Sequence, residues 1–256
     1  MKITDNTLFI TGGGSGIGRG LAEAFHALGN RVIIAGRRQD VLDEAADANS
    51  GMGTVSLDMN DPAAIQQVAA DLILHNPSLN VLINNAGISR FEDLAKEADP
   101  VKAEAMITTN LLGPIRLTSA LLPHLLKQPR ATIINVTSGL GFVPLTVAPT
   151  YSATKAALHS YTVSLRHQLK GTAVEVIEII PPYVQTELGG EQQKVDPRAM
   201  PLKDFIAETM EKFKNGTPNG ENCVDRVNFL RQAEATGNFD KAFTMLCELT
   251  FDSTHP

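Results

Sequence analysis

Residues 7–18 read Thr7-Leu8-Phe9-Ile10-Thr11-Gly12-Gly13-Gly14-Ser15-Gly16-Ile17-Gly18, and this stretch decides the fold. TLFI is a short apolar run of the kind a buried strand needs. The glycine cluster follows at once. Behind it Leu21, Ala24, Phe25 and Leu28 recur at helical spacing until Gly29 stops the pattern. Strand, glycine turn and helix is how a dinucleotide-binding βαβ unit begins. Glycines let the backbone approach a pyrophosphate, and the helix N-terminus offers free N–H groups and positive dipole charge. A tight turn alone would also use glycines, and the spacing is TGxxxGxG rather than the strict GxGxxG. Its place between a strand and a helix favours the cofactor reading.

The next strand, Arg31-Val-Ile-Ile-Ala35, ends in Gly36-Arg37-Arg38. NAD-binding folds place an acid there for the ribose 2′-hydroxyl. Here the acid is missing and two guanidinium groups follow, which suit a phosphate better than a bare diol. The pair could equally be a solvated basic turn; the missing acid favours NADP(H) over NAD(H).

Outward from this unit, strands are expected near 7–10, 31–35, 54–57, 79–83, 131–136 and 173–180. Helical patterns alternate with them near 16–28, 39–48, 61–75, 102–127 and 150–169. The alternation predicts an α/β doubly wound Rossmann fold: a mainly parallel sheet of about six strands with helices on both faces. The chain of 256 residues shows no repeat, low-complexity tract or interdomain linker, so residues 1–256 are expected to form one domain.

Chemistry-bearing residues fall at strand ends and on one helix. Tyr151-Ser-Ala-Thr-Lys155 puts a phenol and an ammonium one helical turn apart on one face. An ammonium there favours the phenolate and turns the phenol into a usable acid or base. Such a pair alone is more often a solvated helix face. Two strand ends add to it: Val81-Leu-Ile83 leads into Asn84-Asn85-Ala86-Gly87, and Thr132-Ile-Ile-Asn-Val136 leads into Thr137-Ser138. Ligands of open parallel sheets bind beyond the carboxyl ends of strands. Asn110 sits inside the apolar pattern ITTNLLGPIRLTSALLPHLL and must find partners if buried, either as a site residue or as a structural brace.

TGGGSGIG, NNAG, the Asn of TTN, the Ser of VTS and YSATK occur in the order and spacing of the short-chain dehydrogenase/reductase family, which residues 5–190 or so resemble. The stretch PTYSATKAALHSYTVSLRHQL further resembles the DltE-like oxidoreductases. The resemblance implies an NADP(H)-dependent enzyme interconverting a carbonyl and an alcohol. Tyr151 would give or take the proton, Lys155 would lower its pKa and hold the nicotinamide ribose, and Ser138 would polarise the substrate oxygen. Asn110 would fix a water relaying protons from Lys155. For the cofactor it implies Gly12, Gly14, Ser15, Gly16, Ile17 and Gly18 at the phosphates and Arg37 and Arg38 at the 2′-phosphate. Asp58 and Met59 would meet the adenine, and Asn85, Ala86 and Gly87 would line the adenosine side. Pro181, Val184 and Thr186 would lie beside Tyr151 and Lys155 at the nicotinamide.

The chain departs from that pattern twice. Pro181-Pro182 replaces the usual Pro-Gly after the sixth strand, which stiffens the loop and removes a donor. The usual final strand motif is missing. Residues 222–235 and 238–249 read instead as amphipathic helices, so a helical tail over about 221–256 is expected in place of a seventh strand. The family's mobile substrate flap maps to about 187–220, where Gly189 and Gly190 open a polar run. Substrate contacts are expected from Ser138, Leu140, Phe142 and Tyr183. This mostly apolar set favours a hydrophobic ketone, aldehyde or secondary alcohol; Arg90 could select an acidic group or be a solvated rim residue.

The net charge of −6, with no long basic run, argues against a nucleic-acid partner. No charge-free apolar stretch approaches ~20 residues, so no membrane span is expected. MKITDNTLFI lacks the pattern of a signal peptide, and Cys223 and Cys247 stand outside any CxxC spacing. A reducing cytoplasmic setting is expected. The six histidines form no metal pattern, and no metal is expected. Apolar residues on several faces of the helices near 102–127 and 150–169 predict a homo-oligomer, a dimer before a tetramer. Two rival readings are a non-catalytic NADP-binding regulator and an epimerase or dehydratase. The first usually loses the Tyr or Lys, and the second usually needs a longer C-terminal part.

Overall fold

The computed structural model describes residues 1–96 and 99–254, with side chains through Glu248. Among these residues lies one sheet of seven strands: β1 (Thr7–Thr11), β2 (Arg31–Gly36), β3 (Gly53–Ser56), β4 (Leu79–Asn84), β5 (Ala131–Val136), β6 (Val174–Ile180) and β7 (Glu221–Cys223). Their order is β3-β2-β1-β4-β5-β6-β7, and every pairing is parallel. The order reverses between β1 and β4, which opens a crevice there.

Strand residues alternate between two cores. Leu8 and Ile10 join Leu21, Phe25, Phe205 and Phe213 on one face, whereas Phe9 joins Leu82, Leu117, Leu121 and Leu165 on the other. The first face is covered by α1 (Gly16–Ala27), α2 (Gln39–Asp47) and α7 (Leu202–Asn215). The second is covered by α3 (Pro62–His75), α5 (Gly113–Leu125) and α6 (Pro149–Gln168), with α4 (Pro100–Ile107) leading into α5. No helix among the described residues is long and apolar enough to cross a membrane.

The structure revises two expectations. The helix expected over 102–127 begins at Pro100, capped by the Asp99 side chain, and widens into a π-helical turn at Thr108–Leu112. Pro114 has no N–H for the Asn110 carbonyl, so the α-ladder cannot run through this turn. The N–H of Gly113 bonds the Thr108 carbonyl instead. The second revision is β7, where a helix was expected over 222–235. Glu221–Cys223 pairs with β6 and covers its edge. Three residues are too few to show a period of two. The helical spacing of Val224, Val227 and Leu230 comes from the 3₁₀ turn Asp225–Val227 and the short α8 (Asn228–Arg231). The last helix, α9 (Phe239–Thr254), matches the expected tail and packs Phe239, Phe243 and Ala242 around Val143.

Part of the expected flap packs into the core. Phe205, Met210 and Phe213 of α7 are buried, and the rings of Phe213 and Phe25 lie 5.9 Å apart.

Candidate active site

A cleft opens beyond the carboxyl ends of β1, β2 and β4. Of the residues expected at a cofactor, Gly12, Gly14, Ser15, Arg37, Arg38, Asp58, Met59, Ala86 and Gly87 line it. Thr11 and Gly36, which the sequence places in the glycine loop and at the ribose position, complete the wall with Ala35, Val41, Leu42, Leu57, Ile88 and Thr109, which were not foreseen from the sequence.

The remaining expected cofactor residues of this end shape the turn. Gly12 has φ +65°, a conformation glycine adopts freely. Asn85 spends its amide on this turn, donating to the carbonyls of Thr11 (3.0 Å) and Gly12 (3.2 Å). The Thr11 hydroxyl in turn accepts the N–H groups of Asn85 and Ala86. Gly18 is needed for close approach: a Cβ there would lie 2.2 Å from the Gly12 carbonyl oxygen. Gly16, with φ +53°, faces Thr186, and Ile17 packs against the core.

A dinucleotide fits these residues. Ser15 stands at the N-cap of α1 without a side-chain cap bond, and the first turn of α1 carries no acid. Its leading N–H groups therefore lack a side-chain acceptor and offer themselves to an anion. Arg37 and Arg38, both exposed, place two positive charges on the rim beside Gly36.

The cleft wall at Gly87 and Ile88 adjoins the polar side chains. A Cβ at Gly87 would lie 3.4 Å from Asn110 Oδ1 and 3.8 Å from Lys155 Nζ. Asn110 is fully buried in the π-turn. Its Oδ1 accepts the Ile88 N–H (2.9 Å), and its Nδ2 donates to the Ile88 carbonyl (2.9 Å) and the Thr154 hydroxyl (3.2 Å). Tyr151 lies in the first turn of α6, packed with Met106 and Ala148 and flanked by Ile88, Leu140 and Leu145. Ser138, just past β5, stands beside the Tyr151 phenol and accepts the Leu140 N–H. Lys155 Nζ lies 5.6 Å from the Tyr151 ring centre and donates to the Val136 carbonyl at 2.8 Å.

Burial governs the titration of both groups. It pushes the Tyr151 phenol up to about 12, with the neighbouring Ser138 hydroxyl pulling the other way. It pushes the Lys155 ammonium down to about 8, opposed by the Glu178 carboxylate. The net shift of the phenol in this structure is upward, because removing a phenolate from water dominates. Glu178 was not foreseen as part of the site. Its signal was an acid within the apolar strand VEVIEII.

The loop after β6 closes the site. The Pro181 carbonyl accepts the Gly139 N–H, and buried Val184 bridges to Met200. The Thr186 hydroxyl accepts from Gln193 Nε2 at 3.1 Å. Tyr183 is half exposed and donates its hydroxyl to Asp196. Phe142 is not on this rim: its ring lies between His159 and Arg231, 4.6 Å from each. The stacking on Arg231 depends on a fold of the tail that the local sequence does not show.

The family model of the short chain dehydrogenases matches residues 6–196. The uncharacterized oxidoreductase DltE of Bacillus subtilis is 40% identical over 250 residues, which are 96% of this chain and 98% of that one. Sulfoacetaldehyde reductase 2 of Chromohalobacter salexigens is 34% identical over 243 residues, 91% of this chain and 96% of that one. A short chain dehydrogenase from Burkholderia cenocepacia, solved in complex with NADP, is similar in structure with a TM-score of 0.79. It is 26% identical, and the likeness covers 92% of this chain and 94% of that one.

Proposed function

Since the chain belongs to the short chain dehydrogenase family of oxidoreductases, we propose that it interconverts a ketone or aldehyde and the corresponding alcohol with NADP(H), Tyr151 giving or taking the proton. The observation that carries this reading is the buried Tyr151 phenol beside Ser138, with Lys155 Nζ 5.6 Å from its ring centre. Bound nicotinamide would supply or accept the hydride.

The chain's own residues do the rest. Tyr151 keeps its proton at neutral pH, the form that protonates a carbonyl oxygen during reduction. Ser138 holds that oxygen beside the phenol. In the oxidative direction Tyr151 must accept a proton, and the Lys155 ammonium favours the phenolate that does so. Asn110 locks the Ile88 backbone against α6 and keeps the floor of the site in place. Gly12, Gly14 and Ser15 with the N-terminus of α1 would hold the pyrophosphate, and Arg37 and Arg38 the 2′-phosphate. Ala86 and Gly87 would border the adenosine, with Asp58 and Met59 opposite. Pro181, Val184 and Thr186 would border the nicotinamide.

NADP(H) is preferred here over NAD(H) because Gly36, not an acid, ends β2. The NADP-bound Burkholderia relative supports the choice. The apolar surroundings of Tyr151, Leu140 and Leu145 among them, suit an uncharged carbonyl substrate. Exposed Ile107 and Val163, on α4 and α6, support a homodimer through the long helices. We place the enzyme in the cytoplasm.

NADPH oxidation measured against a panel of ketones and aldehydes, alongside melting temperature with each nucleotide, tests the proposal. Turnover of at least one carbonyl and a larger thermal shift with NADPH are expected. No turnover and no shift with either nucleotide would overturn it in favour of a non-catalytic role.

A further inference from the structure

β6 reads Val174-Glu-Val-Ile-Glu178-Ile-Ile180, and Glu178 lies between β5 and β7 with no exposed surface. A carboxylate so placed is unfavourable unless paired and hydrogen-bonded. Two side chains meet it. The Thr137 hydroxyl donates to Oε1 at 2.7 Å, and His159 Nδ1 lies 2.8 Å from Oε2 and 3.0 Å from Oε1. His159 follows Lys155 by one helical turn on the same face of α6.

Three consecutive residues at the end of β5 join this carboxylate to the site. The Val136 carbonyl accepts from Lys155 Nζ, the Thr137 hydroxyl holds Glu178, and Ser138 stands beside the Tyr151 phenol. The other charged neighbours are already engaged. Glu221 of β7 stands opposite Glu178 in the ladder, and Arg231 grips it with two hydrogen bonds of 2.9 and 2.7 Å. Arg231 also covers Phe142, whose ring meets His159. Cys223, the remaining titratable neighbour on β7, has its thiol pushed up to about 12, mainly by burial. The His159 ring nitrogen and the carboxylate oxygens of Glu178 and Glu221 lie within 4.8 Å of one another, and the Arg231 cation pairs with Glu221.

We propose that Glu178, held by Thr137 and His159, is a positioning residue for Lys155, its buried negative charge keeping the lysine an ammonium seated on the Val136 carbonyl. This rests on the reading of Tyr151 and Lys155 as the catalytic pair. The balance of forces agrees with it: burial works against the Lys155 charge, and Glu178 is the group that opposes burial. Glu178 sits behind β5 and acts on the reaction only through Lys155.

The test is the titration of Lys155 in the full chain, read by NMR of ε-¹³C-lysine, with the resonance assigned by its loss in Lys155→Arg. In Glu178→Gln the midpoint falls by about one pH unit. Glu178→Asp, which keeps the charge, recovers most of that fall. His159→Gln, which leaves the carboxylate in place, does not lower the midpoint. An unmoved midpoint in a Glu178→Gln protein with native circular dichroism overturns the proposal. Should Glu178→Gln not fold, Glu178→Met, uncharged and able to fill the same buried space, decides: a fall supports the role and no fall overturns it. Full turnover by Tyr151→Phe would sink the catalytic reading without touching this titration, so the two failures are distinguishable.

Discussion

At the glycine-loop end of the cleft, the groups on offer are backbone N–H donors at the start of α1 and the exposed guanidinium groups of Arg37 and Arg38. At the tyrosine end they are side chains taken out of water: Asn110, Ser138, Tyr151 and Lys155 are 0%, 8%, 6% and 4% exposed. The first end needs little more than a correct turn, because water satisfies its charges until a ligand arrives. The second end must supply every partner itself, and burial sets the protonation of its groups. Substitutions at the first end should therefore change binding and leave chemistry intact. Substitutions at the second should do the reverse.

The sharpest break of that contrast is Tyr151→Phe. It removes the proposed proton donor while keeping the ring against Met106 and Ala148. Turnover should fall by roughly 10²–10⁴-fold, the usual contribution of a positioned acid–base group. NADPH affinity measured by thermal shift should stay within about twofold. Retained turnover would mean that another group moves the proton.

Next in size is the Arg37→Ala/Arg38→Ala double variant. Charge-assisted hydrogen bonds contribute about 1.5–3 kcal/mol, so NADPH should bind roughly tenfold to a hundredfold more weakly. NADH affinity, titrated in parallel, should hardly move. Equal losses for both nucleotides would show that the arginines act as a general positive field and do not read the 2′-phosphate.

The two ends also differed in how legible they were. The glycine loop, Arg37 and Arg38 could be read because local order fixes them: a strand, a turn and a helix in direct succession leave few geometries. Even there the individual glycines were not separable. Gly12 and Gly14 line the cleft, whereas Gly18 is a packing glycine under the Gly12 carbonyl, a contact that exists only once α1 has folded back. At the tyrosine end the members were readable from their spacing, but their partners were not. Glu178, His159 and Thr137 come from three separate elements, and their contacts depend on the β5–β6 register. The π-turn at Asn110 was implicit in Pro114, whose missing N–H forbids the regular ladder. β7 left no period to read because it is three residues long.

The smallest effect probes what burial does to the tyrosine end. Lys155 titrates near 8 in the folded chain and near ~10.4 when unfolded. Between these values the unfolded chain holds a proton that the folded chain has released, so folding stability rises with pH over this window. Below about 8 both states are charged and the full penalty of the buried ammonium applies. Lys155→Met removes this dependence. Denaturant unfolding of both proteins from pH 7 to 11 should show the wild type gaining on the variant through the window. The gain is at most ~1.4 kcal/mol per pH unit, and the difference should flatten above pH ~10.4. A difference that is flat from pH 7 onward would place the folded-state titration of Lys155 at its ordinary value. The tyrosine end would then be wetter than its geometry implies, and the contrast between the two ends of the cleft would narrow to their hydrogen bonds.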